Sequence, residues 1–493
     1  MVPNPFNTNN QRPIFETFKT QNDSESDNDE MDINEEGVRG NKDDNIIVKS
    51  KKKQNKKGLI GEGTFGCIYD DLNNPDKVHK IFLYKSQYKE ELDIAAMLNN
   101  SFKQYNISFP KGLLLPDNIY NPSLPNEIDI NFLTKSGYKV CKLLADKKNK
   151  NKNTDKIYKY LTYTNGGDAL NNCLDEFNTV FDLLVSLDNI FDAIDKLQTV
   201  HISHHDIKMP NLLYDKHTKQ TILIDYGITY KYSDLFIFNA TNIKNWPDSY
   251  FVWPPEFHTI WYIMKYNYVP TARIMSDKVR SIVDVRENYV PSFKDMYENN
   301  DNLREFEQFR NELNKGLELE ETLDRNVSLN KIANDELSKY FSTHFAIKSD
   351  VYGLAMVLYA FNKHFDFLSD GALESNLVKY LNVKSINELT KEHLELCKDI
   401  HDFIRKMGCA NPYSRYTSQE CNKLYTKYIR EKLKQFKGGN ILSIATDNIE
   451  PFSMRNNHIV GTSYKGATPT NPFAVFMTVI LIITIVILCA IYL

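Results

Sequence analysis

The hydrophobic pattern of the chain changes once, near Asp168, and this change limits the possible folds more than any other feature. From Gly58 onward, short β-like runs such as GLIGEGTFGCIYD and KIYKYLTY are separated by turns and by one amphipathic helical stretch, YKEELDIAAMLNN. From about Asp168 to about Phe436, apolar residues recur with helical spacing. Strands followed by helices predict an α+β protein with two lobes, a β-rich lobe at 58–167 and a helical lobe at 168–436.

The segments on either side of this region have a different composition. Residues 1–57 carry an acidic run and then a basic run with few large apolar side chains, which predicts a disordered charged tail. Residues 437–472 are rich in Gly, Asn, Ser, Thr and Pro, which predicts a flexible linker. The net charge of −4 gives no general reason to expect nucleic-acid binding. The seven cysteines are scattered without a C-x-x-C pair, which argues against a disulfide framework and favours a reducing compartment.

The C-terminal residues 473–493, FAVFMTVILIITIVILCAIYL, contain no charged side chain. As a helix they would span about 31 Å, the thickness of a bilayer core, whereas a helix buried in a protein core is rarely apolar on every face over this length. We therefore predict one transmembrane helix. The flanking positive charges Arg455 and Lys465 lie only on its N-terminal side, which predicts a single-pass protein whose body faces the cytosol.

Three glycines, Gly61, Gly63 and Gly66, follow a G-x-G-x-x-G spacing between Ile60 and Ile68. A dinucleotide-binding fold would need a helix directly after the third glycine, but the chain continues as β-like CIYDD and turns at NNPDK. The glycines are therefore predicted in a β-hairpin, where backbone N–H groups approach phosphate oxygens without obstruction by side chains. On its own, this spacing also fits an ordinary hairpin.

Lys80 lies on the next β-like run, KVHKIF, between apolar neighbours. A strand lysine is usually just a solvated residue, so its meaning depends on the helix that follows. In that helix Glu91 precedes apolar residues at core spacing, and we expect an ion pair that holds Lys80 over the α- and β-phosphates of a nucleotide. Glu90 is the alternative partner, and its position relative to the apolar face is poorer.

The stretch HISHHDIKMPNLLYD, residues 201–215, concentrates histidines beside an aspartate. One interpretation is a zinc site made of His201, His204, His205 and Asp206. It is disfavoured because adjacent histidines do not easily face one ion, and because no cysteine or second histidine pair lies nearby. An octahedral metal held by oxygen atoms is the better interpretation.

Two motifs follow each other in this region, D-I-K-M-P-N with Asp206, Lys208 and Asn211, and D-Y-G with Asp225. Together with the glycine segment and Lys80, they resemble the eukaryotic protein-kinase family over about residues 58–436. The lysine two positions after Asp206 is similar to the serine/threonine branch, and the resemblance is nearest to kinases of large DNA viruses. It implies a bilobal kinase fold, ATP and Mg²⁺ as cofactors, protein substrates, and a host or virion membrane.

The family implies a role for each matching residue. Asp206 would accept or orient the proton of the substrate hydroxyl, and Lys208 would neutralise charge on the transferring phosphoryl group. Asn211 and Asp225 would hold magnesium, and an oxygen-only pair of ligands suits this hard cation. The other implied ATP-binding residues are Ile60, Gly61, Gly63, Gly66, Ile68, Lys80, Glu91, the backbones of Thr162 and Thr164 for adenine, and Asp168 for ribose.

Further residues are expected to be structural. They are Glu256 of WPPEF with its partner Arg415, Asp350 as an anchor of the catalytic loop, and His204 as a brace of that loop. His205 replaces the arginine with which many kinases grip a phosphorylated activation loop, and a histidine is a poor constitutive cation. We therefore hypothesise that activity does not require phosphorylation of that loop.

The predicted function is ATP-dependent phosphorylation of serine and threonine hydroxyls of proteins by a membrane-tethered kinase. A pseudokinase scaffold is the first alternative, and the intact Lys80, Asp206, Asn211 and Asp225 argue against it. A small-molecule phosphotransferase is the second, and the glycine segment, Lys208 and WPPE argue against it. Residues 260–345 are longer than the family usually has, and they are predicted to form charged helices, either a docking module or a solvated elaboration. No oligomeric state is predicted.

Overall fold

The computed structural model describes residues 58–63, 66–71, 73–135, 140–142, 144, 157–235, 253–266, 273–274, 301–317 and 339–436. The predicted tail at 1–57, linker at 437–472 and transmembrane helix at 473–493 lie outside these residues. Among the helices inside them, none is both long and apolar enough to cross a membrane.

The N-terminal lobe contains an antiparallel sheet with helices packed beside it. In chain order its elements are β1 (Leu59–Gly63), β2 (Gly66–Asp70), β3 (Lys77–Phe82), α1 (Lys85–Gln104), β4 (Glu127–Asp129), α2 (Ile130–Lys135) and β5 (Ile157–Thr164). The five strands pair in the order β1-β2-β3-β5-β4. Helix α1 buries Ala95, Leu98 and Phe102, because a spacing of three and four residues puts them on one face.

Side chains of neighbouring strands form rows on the two faces of this sheet. Ile68 pairs with Lys80, and Lys80 pairs with Leu161, so these three side chains lie on one face. Cys67 pairs with Ile81, one position along each strand from Ile68 and Lys80, so these two side chains lie on the opposite face. That second face is covered by a small core of Cys67, Tyr69, Ile81, Leu133, Cys141, Leu144, Tyr158 and Tyr160.

Two features fix the hairpin of β1 and β2 against the rest of the lobe. A Cβ atom on Gly66 would lie 2.1 Å from the carbonyl oxygen of Ile81, so the close approach of β2 to β3 requires glycine at this position. Cys67 is joined to Cys141 by a disulfide, with Cα atoms 6.4 Å apart. The scattered cysteines argued against disulfide pairing, and this pair corrects that expectation. Its members are 74 residues apart, so only the folded lobe brings them together.

The C-terminal lobe is mainly helical. Its elements are β6 (Asp168–Ala169), α3 (Val180–Ser186), α4 (Asp188–Thr199), β7 (Ile202–Ser203), β8 (Leu212–Asp215), β9 (Gln220–Leu223), β10 (Tyr230–Lys231), α5 (Tyr232–Leu235), α6 (Pro255–Tyr266), α7 (Asp301–Gly316), α8 (Ile347–Phe365), α9 (Ala372–Leu381), α10 (Lys391–Met407), α11 (Ser418–Tyr425) and α12 (Lys432–Phe436). The short strands form two small sheets, β6-β8-β9 and β7-β10.

Local sequence signals account for the start and the buried face of the first helices of this lobe. The hydroxyl of Thr179 accepts a hydrogen bond from the N–H of Asp182 at 3.2 Å, and this N-cap starts α3. Helix α4 buries Ile190, Ile194 and Leu197 on one face, where they join the large core of the lobe. The antiparallel sheet followed by helices agrees with the predicted α+β class and is compatible with a protein-kinase-like fold.

Part of the predicted insertion at 260–345 belongs to this core. Helix α7 buries Phe306, Phe309 and Leu313 completely. Beside them, Glu305 Oε2 accepts a hydrogen bond from the N–H of Ala410 at 2.9 Å. This helix is therefore a structural component of the lobe and not a solvated elaboration, while most of the insertion lies outside the described residues.

Candidate active site

Lys80 links the N-terminal lobe to the C-terminal lobe. Its Nζ lies 2.6 Å from Glu91 Oε2 on α1 and 3.8 Å from Asp225 Oδ1, which follows β9. The expected ion pair thus forms with Glu91. Burial lowers the pKa of the Lys80 ammonium, but the carboxylates of Glu91 and Asp225 outweigh burial and raise that pKa above its ordinary value. Lys80 is therefore a permanent cation between two anions.

A second donor holds Glu91 from the other side. Tyr163 on β5 donates its hydroxyl proton to Glu91 Oε1, while Lys80 binds Oε2. Burial and the charge of Glu91 raise the pKa of Tyr163 well above its ordinary value, so the phenol stays protonated and remains a donor. Tyr163 was not predicted as a site residue. No local sequence signal identifies it, because its place on the same face as Lys80 follows from the pairing of Leu161 with Lys80 across two strands.

Asp206 lies in the loop between β7 and β8, surrounded by donors. Lys208 Nζ lies 3.0 Å from each carboxylate oxygen of Asp206. Asn211 Nδ2 donates to Asp206 Oδ2 at 2.8 Å and to the Asp206 carbonyl oxygen at 3.0 Å. The structure therefore brings together the three residues that the sequence predicted as base, charge clamp and metal ligand.

Asn211 and Asp225 have the chemistry of a magnesium site. The amide nitrogen of Asn211 faces Asp206, which turns its Oδ1 away and leaves an oxygen for a cation. Burial raises the pKa of Asp225, but Lys80 and Lys208 outweigh burial and hold that pKa below its usual value, so the carboxylate is ionised. In the part of the chain that the structure describes, no group of three His, Cys, Asp or Glu is placed to hold a metal. A pair of oxygen ligands completed by substrate phosphates is the usual arrangement for Mg²⁺.

The catalytic loop is anchored through its backbone to α8. Asp350 accepts hydrogen bonds from the N–H groups of His204 and His205, each at 2.9 Å. The ring Nδ1 of His204 accepts a hydrogen bond from the N–H of Asp206 at 3.2 Å, which is the predicted brace. Burial lowers the pKa of His204 to about 4, so the ring is neutral with its proton on Nε2. Through their backbone N–H groups and the ring of His204, the two histidines therefore hold the loop in place.

A buried ion pair connects the end of the predicted activation segment to the C-terminal helices. Glu256, at the start of α6, binds Arg415 through two hydrogen bonds of 2.6 and 3.1 Å. Both side chains are 0% exposed. Arg415 also donates to the carbonyl oxygen of Cys409 at 2.7 Å and lies over the ring of Tyr352 at 4.8 Å. The predicted structural pair is therefore formed and fully enclosed.

Comparison with known proteins agrees with these motifs. No family model matches the chain. Over 188 residues it is 27% identical to the cell cycle serine/threonine-protein kinase hsk1 of Schizosaccharomyces pombe, covering 35% of this chain and 33% of that protein. Over 180 residues it is 25% identical to a probable serine/threonine-protein kinase of Dictyostelium discoideum, covering 34% of this chain and 18% of that protein. The chain is similar to serine/threonine-protein kinases.

This similarity supports a protein-kinase family and a general kinase function. The matched region spans a third or less of the length of each relative. The nearer likeness to kinases of large DNA viruses stays a prediction.

The residues predicted to bind adenine and ribose differ in the contacts that they make. The N–H of Thr162 donates to Asn118 Oδ1 at 3.0 Å, so it is already engaged away from a nucleotide. The hydroxyl of Thr164 accepts from Lys77 Nζ at 2.9 Å, and the role predicted for the Thr164 backbone stays a prediction. Asp168 lies on β6 with its side chain 61% exposed, 3.6 Å from Lys216. Of these residues, Asp168 is the one whose side chain is open to a ligand.

His205 is a buried neutral residue and not a substitute for arginine. Neither of its ring nitrogens has a hydrogen-bond partner among the described residues, and the ring packs 5.3 Å from that of Phe257. Burial, and then His204, lower the pKa of His205 to about 3. Trp253 Nε1 donates to the carbonyl oxygen of His205 at 3.2 Å. Trp253, near the end of the predicted activation segment, is thus bonded to a backbone atom of residue 205, and the neutral ring of His205 supplies no cation that would attract a phosphate.

Proposed function

We propose that this chain is an ATP-dependent protein kinase that transfers the γ-phosphoryl group to serine and threonine hydroxyls of protein substrates. One observation carries the proposal. Lys80 lies between Glu91 and Asp225, so a single cation is fixed at the point where the phosphates of a nucleotide would meet a metal-binding carboxylate. The similarity to serine/threonine-protein kinases supports the same reaction class.

Each residue of the site has a separate role in the proposed reaction. The hairpin of β1 and β2 offers backbone N–H groups to the phosphates, and Lys80 binds their negative charge. Asp206 orients the substrate hydroxyl and accepts its proton as the oxygen attacks the γ-phosphorus and the bond to ADP breaks. Lys208, 3.0 Å from Asp206, is placed to stabilise the charge of the transferring group. Magnesium held by Asn211 and Asp225 would neutralise the phosphate oxygens.

A transfer assay tests this function. The full chain is incubated with Mg²⁺, ATP labelled at the γ-phosphate and a protein mixture, beside an identically purified Lys80→Met variant. We expect label on phosphoserine and phosphothreonine with wild type and about 10²–10³-fold less with the variant, because a preorganised cation is lost. Equal labelling by both proteins would contradict the kinase function and favour a scaffold. Label that appears only on small molecules would favour a small-molecule phosphotransferase.

We also propose that residues 473–493 anchor the kinase in a membrane, with the body of the protein in the cytosol. The uncharged composition of this segment supports the proposal. Membranes from cells that express the full chain are extracted with alkaline carbonate, which releases peripheral proteins. The protein is expected in the membrane pellet, and its release into the supernatant would contradict the anchor.

The buried, neutral His205 predicts that activity is independent of activation-loop phosphorylation. The full chain is treated with a broad-specificity phosphatase, and mass spectrometry checks that phosphate has been removed. We expect an unchanged transfer rate, because the neutral side chain at position 205 does not bind a phosphorylated residue of the activation loop. Loss of most of the activity, with recovery after rephosphorylation, would show that the hypothesis is wrong.

A further inference from the structure

The disulfide of Cys67 and Cys141 lies directly behind the glycine hairpin. Cys67 is the residue after Gly66 and the residue before Ile68, both of which belong to the predicted nucleotide site. Its side chain lies on the sheet face opposite to Lys80, because Ile68 and not Cys67 pairs with Lys80. Both cysteines are 0% exposed in the small core of the lobe. The disulfide thus contacts the hairpin from the sheet face opposite to Lys80 and does not occupy the face that is predicted to bind the nucleotide.

The segment 140–142, which carries Cys141, contacts both strands of the hairpin. The N–H of Cys141 donates to the hydroxyl of Tyr69 on β2 at 2.9 Å. The N–H of Lys142 donates to Glu62 Oε1 on β1 at 3.3 Å. The disulfide adds a covalent bond to these two weaker attachments. Breaking that bond leaves the hairpin attached to the segment by these hydrogen bonds and by packing in the small core.

The other cysteines of the described chain form no disulfide. Cys173, Cys397, Cys409 and Cys421 are free thiols. Cys67 and Cys141 are therefore the described cysteines that the fold places to form an intramolecular disulfide.

We propose that Cys67 and Cys141 are a reversible thiol–disulfide site that sets the order of the glycine hairpin and, through it, the affinity for Mg·ATP. In a reducing compartment such disulfides are usually transient and redox-sensing. When local opening of the lobe exposes one of these enclosed cysteines, its thiolate attacks a low-molecular-weight disulfide such as oxidised glutathione and displaces one glutathione thiolate. The second cysteine then displaces the other glutathione. The protein loses two electrons and two protons, and the oxidised glutathione becomes two thiols.

The direction of the effect follows from conformational entropy. A hairpin that is already fixed by the disulfide loses less freedom when it closes on phosphates, so the oxidised protein should bind the nucleotide more tightly. The link to ATP rests on the proposed kinase function, whereas the redox pair and its effect on the hairpin do not.

The test compares the full chain equilibrated with oxidised glutathione and with dithiothreitol. Differential alkylation and mass spectrometry map the thiols, and hydrogen exchange is measured for the peptide that covers 58–71. We expect a Cys67–Cys141 disulfide in the oxidised protein, its loss on reduction, and slower exchange in the oxidised state. We also expect a Kd for Mg·ATP that is about five- to tenfold lower in the oxidised state, a typical size for coupling between two sites.

Two variants separate this effect from a general change in stability. Cys141→Ser should show the exchange rate and nucleotide affinity of the reduced protein under both conditions. Cys173→Ser, which alters another buried cysteine, should respond to redox conditions as wild type does. Free thiols at both positions after oxidation, or equal exchange of 58–71 in the two states, would overturn the proposal. A protein that shows the disulfide and the exchange difference but binds no Mg·ATP upholds the redox pair and contradicts the kinase function instead.

Discussion

Replacing Asp206 with asparagine should lower the rate of phosphoryl transfer by about 10²–10⁴-fold, the usual contribution of a general base. The carboxylate of Asp206 lies 3.0 Å from Lys208 Nζ and 2.8 Å from Asn211 Nδ2. Asparagine has a similar shape but cannot accept the proton of a substrate hydroxyl. The loss should therefore appear in kcat, while the Kd for Mg·ATP changes little because Lys80 and Asp225 remain.

The matched control is Asp192→Asn, which makes the same chemical change on the exposed side of α4. Asp192 pairs with Lys196 at 2.9 Å on a helix that contains none of the predicted site residues. Rates are measured with saturating ATP, and nucleotide binding is measured separately by calorimetry. A kcat for Asp206→Asn close to that of the Asp192→Asn control would remove Asp206 from the mechanism.

The Arg415→Leu substitution should lower the free energy of unfolding by about 3–5 kcal/mol, because it leaves the carboxylate of Glu256 buried without a counter-charge. Both side chains are 0% exposed, and Arg415 also donates to the carbonyl oxygen of Cys409. The combined variant Glu256→Leu with Arg415→Leu should recover part of this loss, since it removes the uncompensated charge as well. Urea unfolding of each protein measures the differences.

The chain offers a matched arginine for comparison. Arg430 pairs with Asp188, but its side chain is 34% exposed. Because solvent screens a partly exposed pair, Arg430→Leu should cost only about 1 kcal/mol. Equal losses in the free energy of unfolding for Arg415→Leu and Arg430→Leu would show that enclosure does not determine how much the Glu256–Arg415 pair stabilises the protein.

The resemblance of short continuous motifs to the protein-kinase family was sufficient to predict the site residues that lie within those motifs. Asp206, Lys208 and Asn211 are close in sequence, so a single loop brings them together, and the structure places them within hydrogen-bonding distance. The Lys80–Glu91 pair also followed from sequence, because a helix pattern fixes which glutamate accompanies the apolar face.

Contacts between distant segments were not predicted, because no local pattern encodes them. Tyr163 reaches Glu91 across 72 residues, and Cys141 reaches Cys67 across 74. Thr162 illustrates the same difficulty. Its backbone was predicted to bind adenine, but its N–H donates to Asn118 Oδ1, 44 residues earlier in the chain. Such a contact forms only when β5 packs against that earlier segment, and the local sequence does not encode it.

The anchor of the catalytic loop has a consequence for which substitutions the loop tolerates. Asp350 binds the N–H groups of His204 and His205 and not their side chains. Every amino acid except proline supplies such a group. The identity of the residue at 205 is therefore decoupled from the position of Asp206, subject to a backbone φ of 63° that asparagine and glycine adopt most easily. The hydrogen bond that positions the loop therefore survives a change of side chain at 205, whereas a charged side chain at that position would meet the cost of burial that keeps the His205 ring neutral.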